Sequence, residues 1–248
     1  MSKEKAQKGW FLETLKTVVY AVLIALGIRT IAFEPFNIPS ASMLPTLLVG
    51  DYLFVSKYSY GYSRHSIPLS PPLFEGRVLA RPLERGDIAV FKLPRDNKTD
   101  YIKRIVGLPG DRLQMQGGVL YINDVAVKRE RVADFIYRDH MGKPYRIPRY
   151  RETLPNGVSY DTLDMFENGE HDNTKVYQVP PDHYFAMGDN RDNSLDSRVA
   201  SGVGMVPAEN LVGRAEILFF STDGTARLWE VWRWPMATRF SRIFQIVG

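Results

Sequence analysis

The chain has 248 residues, 44% of them apolar and 24% charged, with 19 Gly, 16 Pro, no Cys and a formal net charge of +4. That length supports a sizeable core, and the composition excludes a mostly disordered or collagen-like chain. Without cysteine there are no disulfides, thiolate metal sites, iron–sulfur clusters or cysteine nucleophiles.

The charge is unevenly placed. Residues 1–33 hold five basic side chains (Lys3, Lys5, Lys8, Lys16, Arg29) against Glu4 and Glu13, and residues 225–248 hold four arginines against Glu230, so each end carries +3 and the middle −2. A nucleic-acid binder would carry a basic stripe on its folded domain, so no nucleic-acid partner is expected. All four tryptophans (Trp10, Trp229, Trp232, Trp234) also lie at the ends. Tryptophan with basic residues favours a membrane–water interface.

At the N-terminus, residues 17–28 are uncharged, Arg29 interrupts, and the apolar run continues to Phe33. As a helix, 17–33 spans about 25 Å, near the short limit for a bilayer core of about 30 Å. Lys16 and Arg29 extend the usable span by snorkelling. The preceding lysines place the N-terminus in the cytoplasm and everything after Phe33 outside. A cleaved signal peptide shares the basic start and apolar middle, but Arg29 beside Thr30 and Ala32 fits its cleavage site poorly. A buried soluble helix would show one apolar stripe, whereas this run is apolar all round. The expectation is an uncleaved single-pass anchor.

Beyond Phe33 the pattern turns to short apolar runs bounded by turn residues: DYLFVSKY, DIAVFKL, YIKRIVGL, VLYIND, HYFAMG and AEILFF. Gly-Asp pairs at 50–51, 86–87 and 110–111 punctuate them, and a fourth lies at 188–189. Many short strands with turn signals predict an all-β barrel or sandwich. Residues 59–82, rich in Ser, Pro and Tyr, read as a long irregular loop. Residues 116–178 are more polar and read as an inserted β subdomain. In the tail, Leu228, Val231 and Trp232 have helical spacing and Pro235 breaks it. Phe240, Ile243, Phe244 and Val247 then form a second apolar face with Arg239 and Arg242 interspersed, suiting either an interfacial segment or a packing helix.

The four histidines (His65, His140, His171, His183) lack metal-ligand spacing, so no metal site is expected. The acidic run 189–196 fails the EF-hand pattern, with Arg191 at the third position and Ala200 at the twelfth. What remains is PFNIPSASMLPT, residues 35–46, where three prolines stiffen the backbone around Ser40 and Ser42. The other candidate is Lys103 in YIKRIV. Period-2 alternation puts Tyr101, Lys103 and Ile105 on one face and Arg104 on the other. On pattern alone the water-facing orientation of Lys103 is favoured; on the core side its pKa would fall by desolvation.

Four ordered blocks, PFNIPSASMLPTL, RGDIAVFKLP, YIKRIVGLPGD and GDNRDNSLDSR, resemble the motifs of bacterial type I signal peptidase, a Ser/Lys-dyad serine endopeptidase family. The resemblance covers most of 34–115 and 180–220; it leaves the insertion and the tail unmatched. Together with the residue patterns above, it gives a mostly β protein: a β-barrel-like catalytic core of short antiparallel strands (34–115 with 179–224), an inserted β subdomain (116–178), a membrane-associating or packing tail (225–248), and the anchor (1–33).

The resemblance further implies Ser42 as nucleophile and Lys103 as general base. Ser40 corresponds to a hydroxyl donor to the oxyanion, Ser194 to a residue that hydrogen-bonds and orients the lysine, and Asp196 and Arg198 to a supporting charge pair. Gly188 and Asp189 open the same block. Phe36, Ile38, Met43, Leu47, Tyr101 and Ile102 correspond to two shallow apolar pockets that accept small side chains in an Ala-x-Ala pattern. The implied function is removal of signal peptides from exported preproteins at the inner membrane of a Gram-negative bacterium. The enzyme would need no cofactor, and it would act as a monomer in contact with lipid, with its catalytic domain on the periplasmic side. A self-cleaving Ser-Lys repressor protease would be soluble and carry a DNA-binding domain, and neither appears. A membrane-tethered β domain that binds exported chains without cutting them is the non-enzymatic alternative.

Overall fold

The computed structural model describes residues 2–138, 143–226 and 229–247. Helix α1 (Ser2–Ile31) comprises 30 residues and is longer than the apolar run, because the basic N-terminal segment joins it. Its stretch Leu12–Ile31 is long and apolar enough to cross a membrane, and none of that window is buried against the rest of the chain. Val18, Leu23, Ile24 and Ile28 all stand exposed, which opposes a soluble core helix. The helix stops two residues earlier than the expected anchor. Pro35 disfavours helical geometry at Glu34, and the backbone is already extended at Phe33.

Among the described residues the body is three antiparallel sheets. The main one has seven strands, built from β1 (Phe33–Asn37), β2 (Asp51–Ser56), β3 (Ile88–Lys92), β4 (Asp100–Gly107), β12 (His183–Met187), β13 (Val206–Pro207) and β14 (Leu211–Ser221), in the order β1-β2-β14-β3-β4-β12-β13. Bulges along β14, which pairs with both β2 and β3, help curl the sheet. Pro35 is tolerated because β1 is an edge strand. Leu53 and Val55 of β2 pack with Ile88, Val90, Val212, Ala215 and Leu218 inside the curl. Gly50 and Gly86 take φ of +87° and +105°, so these Gly-Asp pairs are the turns that start β2 and β3.

A four-stranded sheet contains β5 (Arg112–Gln116), β6 (Val119–Ile122), β7 (Val125–Ala126) and β11 (Tyr177–Gln178), in the order β11-β5-β6-β7. A three-stranded sheet contains β8 (Lys128–Arg138), β9 (Pro144–Thr153) and β10 (Ser159–Leu163). The boundary expected at 116 therefore falls at the end of β5, inside a hairpin. The insertion is also not a separate core: Leu120, Ile122, Leu154 and Tyr160 pack in one cluster with Val106, Phe185 and Met187 of the main sheet. Residues 59–82 are irregular, as expected. Arg77 holds them down by donating to the carbonyls of Tyr60, Gly61, Ala208 and Leu211.

The tail differs from expectation. Leu228 lies outside the described residues. Pro235 does not break a helix but sits in the first turn of the short α2 (Trp234–Ala237), where its missing N–H costs nothing. Residues 238–247 run beside β14 through bridges from Thr238 to Thr222 and from Ile246 to Ile217, rather than as an amphipathic helix. Arg242 pairs with buried Asp51 at 2.6 Å and Val247 enters the core, while Trp232, Met236, Phe240, Phe244 and Ile246 remain exposed.

Candidate active site

Ser42 lies on a compact turn between β1 and β2. The neighbouring side chains of Met43, Leu44 and Leu47 are buried, and the turn is closed by the bonds Leu44 N–H to Ala41 O (3.2 Å) and Leu47 N–H to Met43 O (2.9 Å). Burying those side chains fixes the serine that precedes them. Met43 and Leu47, expected to line substrate pockets, are 1% and 0% exposed and belong to the core beneath the groove. Unlike Ile38 of the same cluster, neither lines the groove, and they can shape its floor only from behind.

Lys103 comes from β4, where Ala89 of β3 is its register partner. It is only 3% exposed, which corrects the water-facing reading. Its Nζ lies 2.7 Å from Ser42 Oγ and 3.0 Å from the carbonyl of Ile102. Burial pushes the amine down to about 8, against the opposing pull of Asp196 and Asp189. Ser40 Oγ, on the exposed side, is 3.4 Å from Ser42 Oγ.

The segment after β12 closes the site. Arg198 grips Asp196 with two hydrogen bonds of 2.9 Å, and the Gly188 N–H donates to the same carboxylate at 3.0 Å. Burial alone would raise the Asp196 carboxyl, yet Arg198 and these donors hold it below its usual value. Ser194 departs from the role implied for it. Its hydroxyl lies beside Asp196 and makes no hydrogen bond of good geometry, and the lysine's bonds go instead to Ser42 and Ile102. Gly188 is where the parts meet: a Cβ there would stand 2.2 Å from Ser194 Oγ and 2.6 Å from the Ser42 carbonyl. Gly188→Ala must push the Ser42 backbone, so kcat should fall about tenfold or more. A wild-type rate in a purified Gly188→Ala variant would contradict this placement.

Several residues escaped the sequence reading. Arg104, assigned only to the opposite strand face, is buried and forms a bidentate pair with Asp189 at 2.8 and 2.9 Å. It also donates to the Gly86 carbonyl and stacks 4.1 Å over the Tyr160 ring. Thr46 donates to Asp189 at 2.5 Å. Asn190 holds the Ser42 turn from two sides, its N–H on Ser42 O at 3.1 Å and its side-chain amide on Ala41 O at 3.0 Å. The available signal was position alone, since Arg104 follows Lys103 and Asn190 lies inside the last block.

A groove of ≈ 490 Å³ runs up to the Ser42–Lys103 pair, lined by residues 36–42 on one side and 100–103 on the other, with Val90, Asn193 and Leu195. Of the expected substrate-contacting residues, Phe36, Ile38, Tyr101 and Ile102 line it. Both walls are strand edges. β1 ends the sheet, and β4 meets β12 only from Arg104 onward, leaving 100–103 unpaired on that side. An extended peptide can add to such edges.

Among the described residues one carboxylate group, Asp164, Asp172 and Asp192, has oxygens within 4.8 Å of one another. Its members have local work: Asp192 accepts from the N–H groups of Met165 and Phe166, Asp172 from that of Gly169, and Arg129 pairs with Asp164. His140 lies outside the described residues.

The family described as signal peptidase, peptidase S26, matches residues 11–220. The chain belongs to this family. Signal peptidase I of Rickettsia typhi is 42% identical over 243 residues, 91% of this chain and 90% of that protein. Its counterpart in Rickettsia conorii is 44% identical over 83% of this chain and 78% of that protein. A crystal structure of signal peptidase I from Enterococcus faecalis aligns with 54% of this chain and 97% of its own at 24% identity and a TM-score of 0.31. As a signal peptidase the chain is a serine-type peptide-bond hydrolase that removes signal peptides. The exposed apolar α1 fits a membrane-anchored enzyme.

Proposed function

We propose that this signal peptidase works by a Ser42–Lys103 dyad and cleaves exported preproteins after small side chains. The observation that supports it best is an amine 2.7 Å from the serine hydroxyl in a site that keeps that amine nearly dry. A serine hydroxyl is a weak nucleophile until a neighbouring base takes its proton. Neutral Lys103 takes that proton as Ser42 Oγ attacks the scissile carbonyl. The developing oxyanion is met by the Ser40 hydroxyl and the Ser42 N–H. The lysine then passes the proton to the departing amine, leaving an acyl group on Ser42. Lys103 next activates a water that attacks this ester, releases the signal peptide and restores the hydroxyl.

The active form is the uncharged amine. kcat/KM should therefore rise about tenfold per pH unit below about 8 and level off above it. A profile flat from pH 6 to 9 would contradict this role.

Specificity follows from the groove. A peptide extended between the edges of β1 and β4 alternates its side chains. Its last and third-last residues before the cut then meet Phe36, Ile38, Tyr101 and Ile102, where space is shallow. A preprotein with Ala at both positions should be cut, and replacing either Ala by Leu should lower kcat/KM at least tenfold. Equal cleavage of all three substrates would reject this pocket assignment.

The topology proposed is single-pass. The N-terminal lysines stay in the cytoplasm, α1 crosses, and the β body sits on the outer, periplasmic face of the inner membrane as a monomer. The exposed Trp232, Phe240 and Phe244 give the tail an aromatic surface suited to the lipid interface. The reaction uses side chains and water, and calls for no cofactor.

A further inference from the structure

The insertion is tied to the catalytic segment by more than shared packing. Glu152 of β9 and Tyr160 of β10 are register partners, and both are buried. The Glu152 Oε2 accepts from Arg191 Nη2 at 2.6 Å and from the Tyr160 hydroxyl at 2.9 Å. Arg191 lies between Asn190, which clasps the nucleophile turn, and the residues that surround the lysine. Its Nε donates to the Gly188 carbonyl at 3.3 Å, and its own carbonyl accepts from Arg198 at 2.6 Å. Nearby, the Leu163 N–H at the end of β10 donates to the Asp189 carbonyl at 2.8 Å, and Leu163 bridges Asn190.

We propose that the inserted three-stranded sheet is a positioning element of the active site and that Glu152 is its positioning residue, holding Arg191 and thereby setting Asn190 against the backbone of Ser42. The proposal rests on the Ser42–Lys103 reading above. Its physical basis is directional. A buried ion pair adds little stability over well-packed apolar groups, because desolvation offsets its attraction. What it supplies here is a fixed orientation for one guanidinium, two residues from Asp189 and one from Asn190. Small displacements of a reacting group are costly: about 1 Å can lower a rate about a hundredfold. Losing the anchor should therefore act on the chemical step more than on peptide binding. The groove walls at 36–41 and 100–102 are built by β1, the turn and β4, not by the insertion.

The test uses the full-length enzyme in detergent with an Ala-x-Ala preprotein, comparing Glu152→Gln, Tyr160→Phe and Ser42→Ala with wild type. In Glu152→Gln we expect kcat to fall about tenfold with KM within about twofold, because loop placement and not substrate contact has changed. The acid limb of the pH profile should also move upward as water reaches Lys103. A lowered melting temperature with wild-type kcat and an unmoved limb means a purely structural pair and overturns the proposal. If Glu152→Gln does not fold, Tyr160→Phe decides, since it removes one hydroxyl from the same cluster. A several-fold kcat loss at constant KM supports the proposal, and a wild-type kcat overturns it. Ser42→Ala separates the two levels. If it is inactive while the Glu152 and Tyr160 variants are unimpaired, only the positioning role fails; if it cleaves normally, the dyad itself fails.

Discussion

Lys103→Met should lower kcat by about a thousandfold or more and leave the protein folded, as expected for loss of the proposed general base. Methionine keeps most of the aliphatic stem and fills the same space between Tyr101 and Ser42. No charged group in this site can substitute for the lost amine, because Asp196 and Asp189 are already occupied by Arg198 and Arg104. The fold should tolerate the change well. With its amine near 8 in the folded state and 10.5 as the ordinary value, Lys103 binds fewer protons folded than unfolded between those pH values. Its effect on stability therefore becomes more favourable as pH rises through that window, and at neutral pH burying it costs about 3 kcal/mol. Lys103→Met should be at least as stable as wild type at pH 7. Cleavage assays paired with denaturation curves check both halves. An active variant, or one that is inactive because it is unfolded, would contradict the account.

Asp189→Asn has the second large effect, and it falls on stability first. Arg104 and Asp189 are each 1% exposed and meet through two parallel hydrogen bonds. The asparagine retains the shape but leaves a guanidinium buried without its counter-charge. Breaking one partner of such a pair costs about 3–5 kcal/mol. The unfolding midpoint in denaturant should fall accordingly. Activity should fall with it, because Asp189 also receives the Thr46 hydroxyl from the turn that carries Ser42. Replacing both members, Arg104→Met with Asp189→Leu, should recover much of the stability but not the activity. An unchanged midpoint in Asp189→Asn would show that the pair carries no structural weight.

The anchor and the β character were legible because each depends on local pattern: an uninterrupted apolar run for α1, and short runs bounded by Gly-Asp turns for the sheet. The face of Lys103 was not legible from alternation. β4 is covered on both sides, so Lys103, Arg104, Ile105 and Val106 are all buried, and a period of two separates nothing there. Family resemblance singled out the lysine where periodicity could not. At Met43 and Leu47 the tight turn around Ser42 sends the side chains inward, and neither lines the groove. Glu152, Tyr160 and Arg191 could not be read from the chain at all. Glu152 and Tyr160 lie inside the segment whose composition looked merely polar, and Arg191 meets Glu152 from the last motif block, about forty residues further on. In the tail, helical spacing was outweighed by backbone bonding to β14 and by the Arg242–Asp51 pair.

The ionisation state of one side chain decides the mechanism, and it can be observed without turnover. Enzyme carrying 13C at the lysine ε positions, in detergent, is titrated by NMR from pH 6 to 11. One resonance should titrate near 8 and be missing from the spectrum of Lys103→Met. If every lysine resonance, that of residue 103 included, titrates above 10, the amine is charged at working pH and cannot take the proton of Ser42.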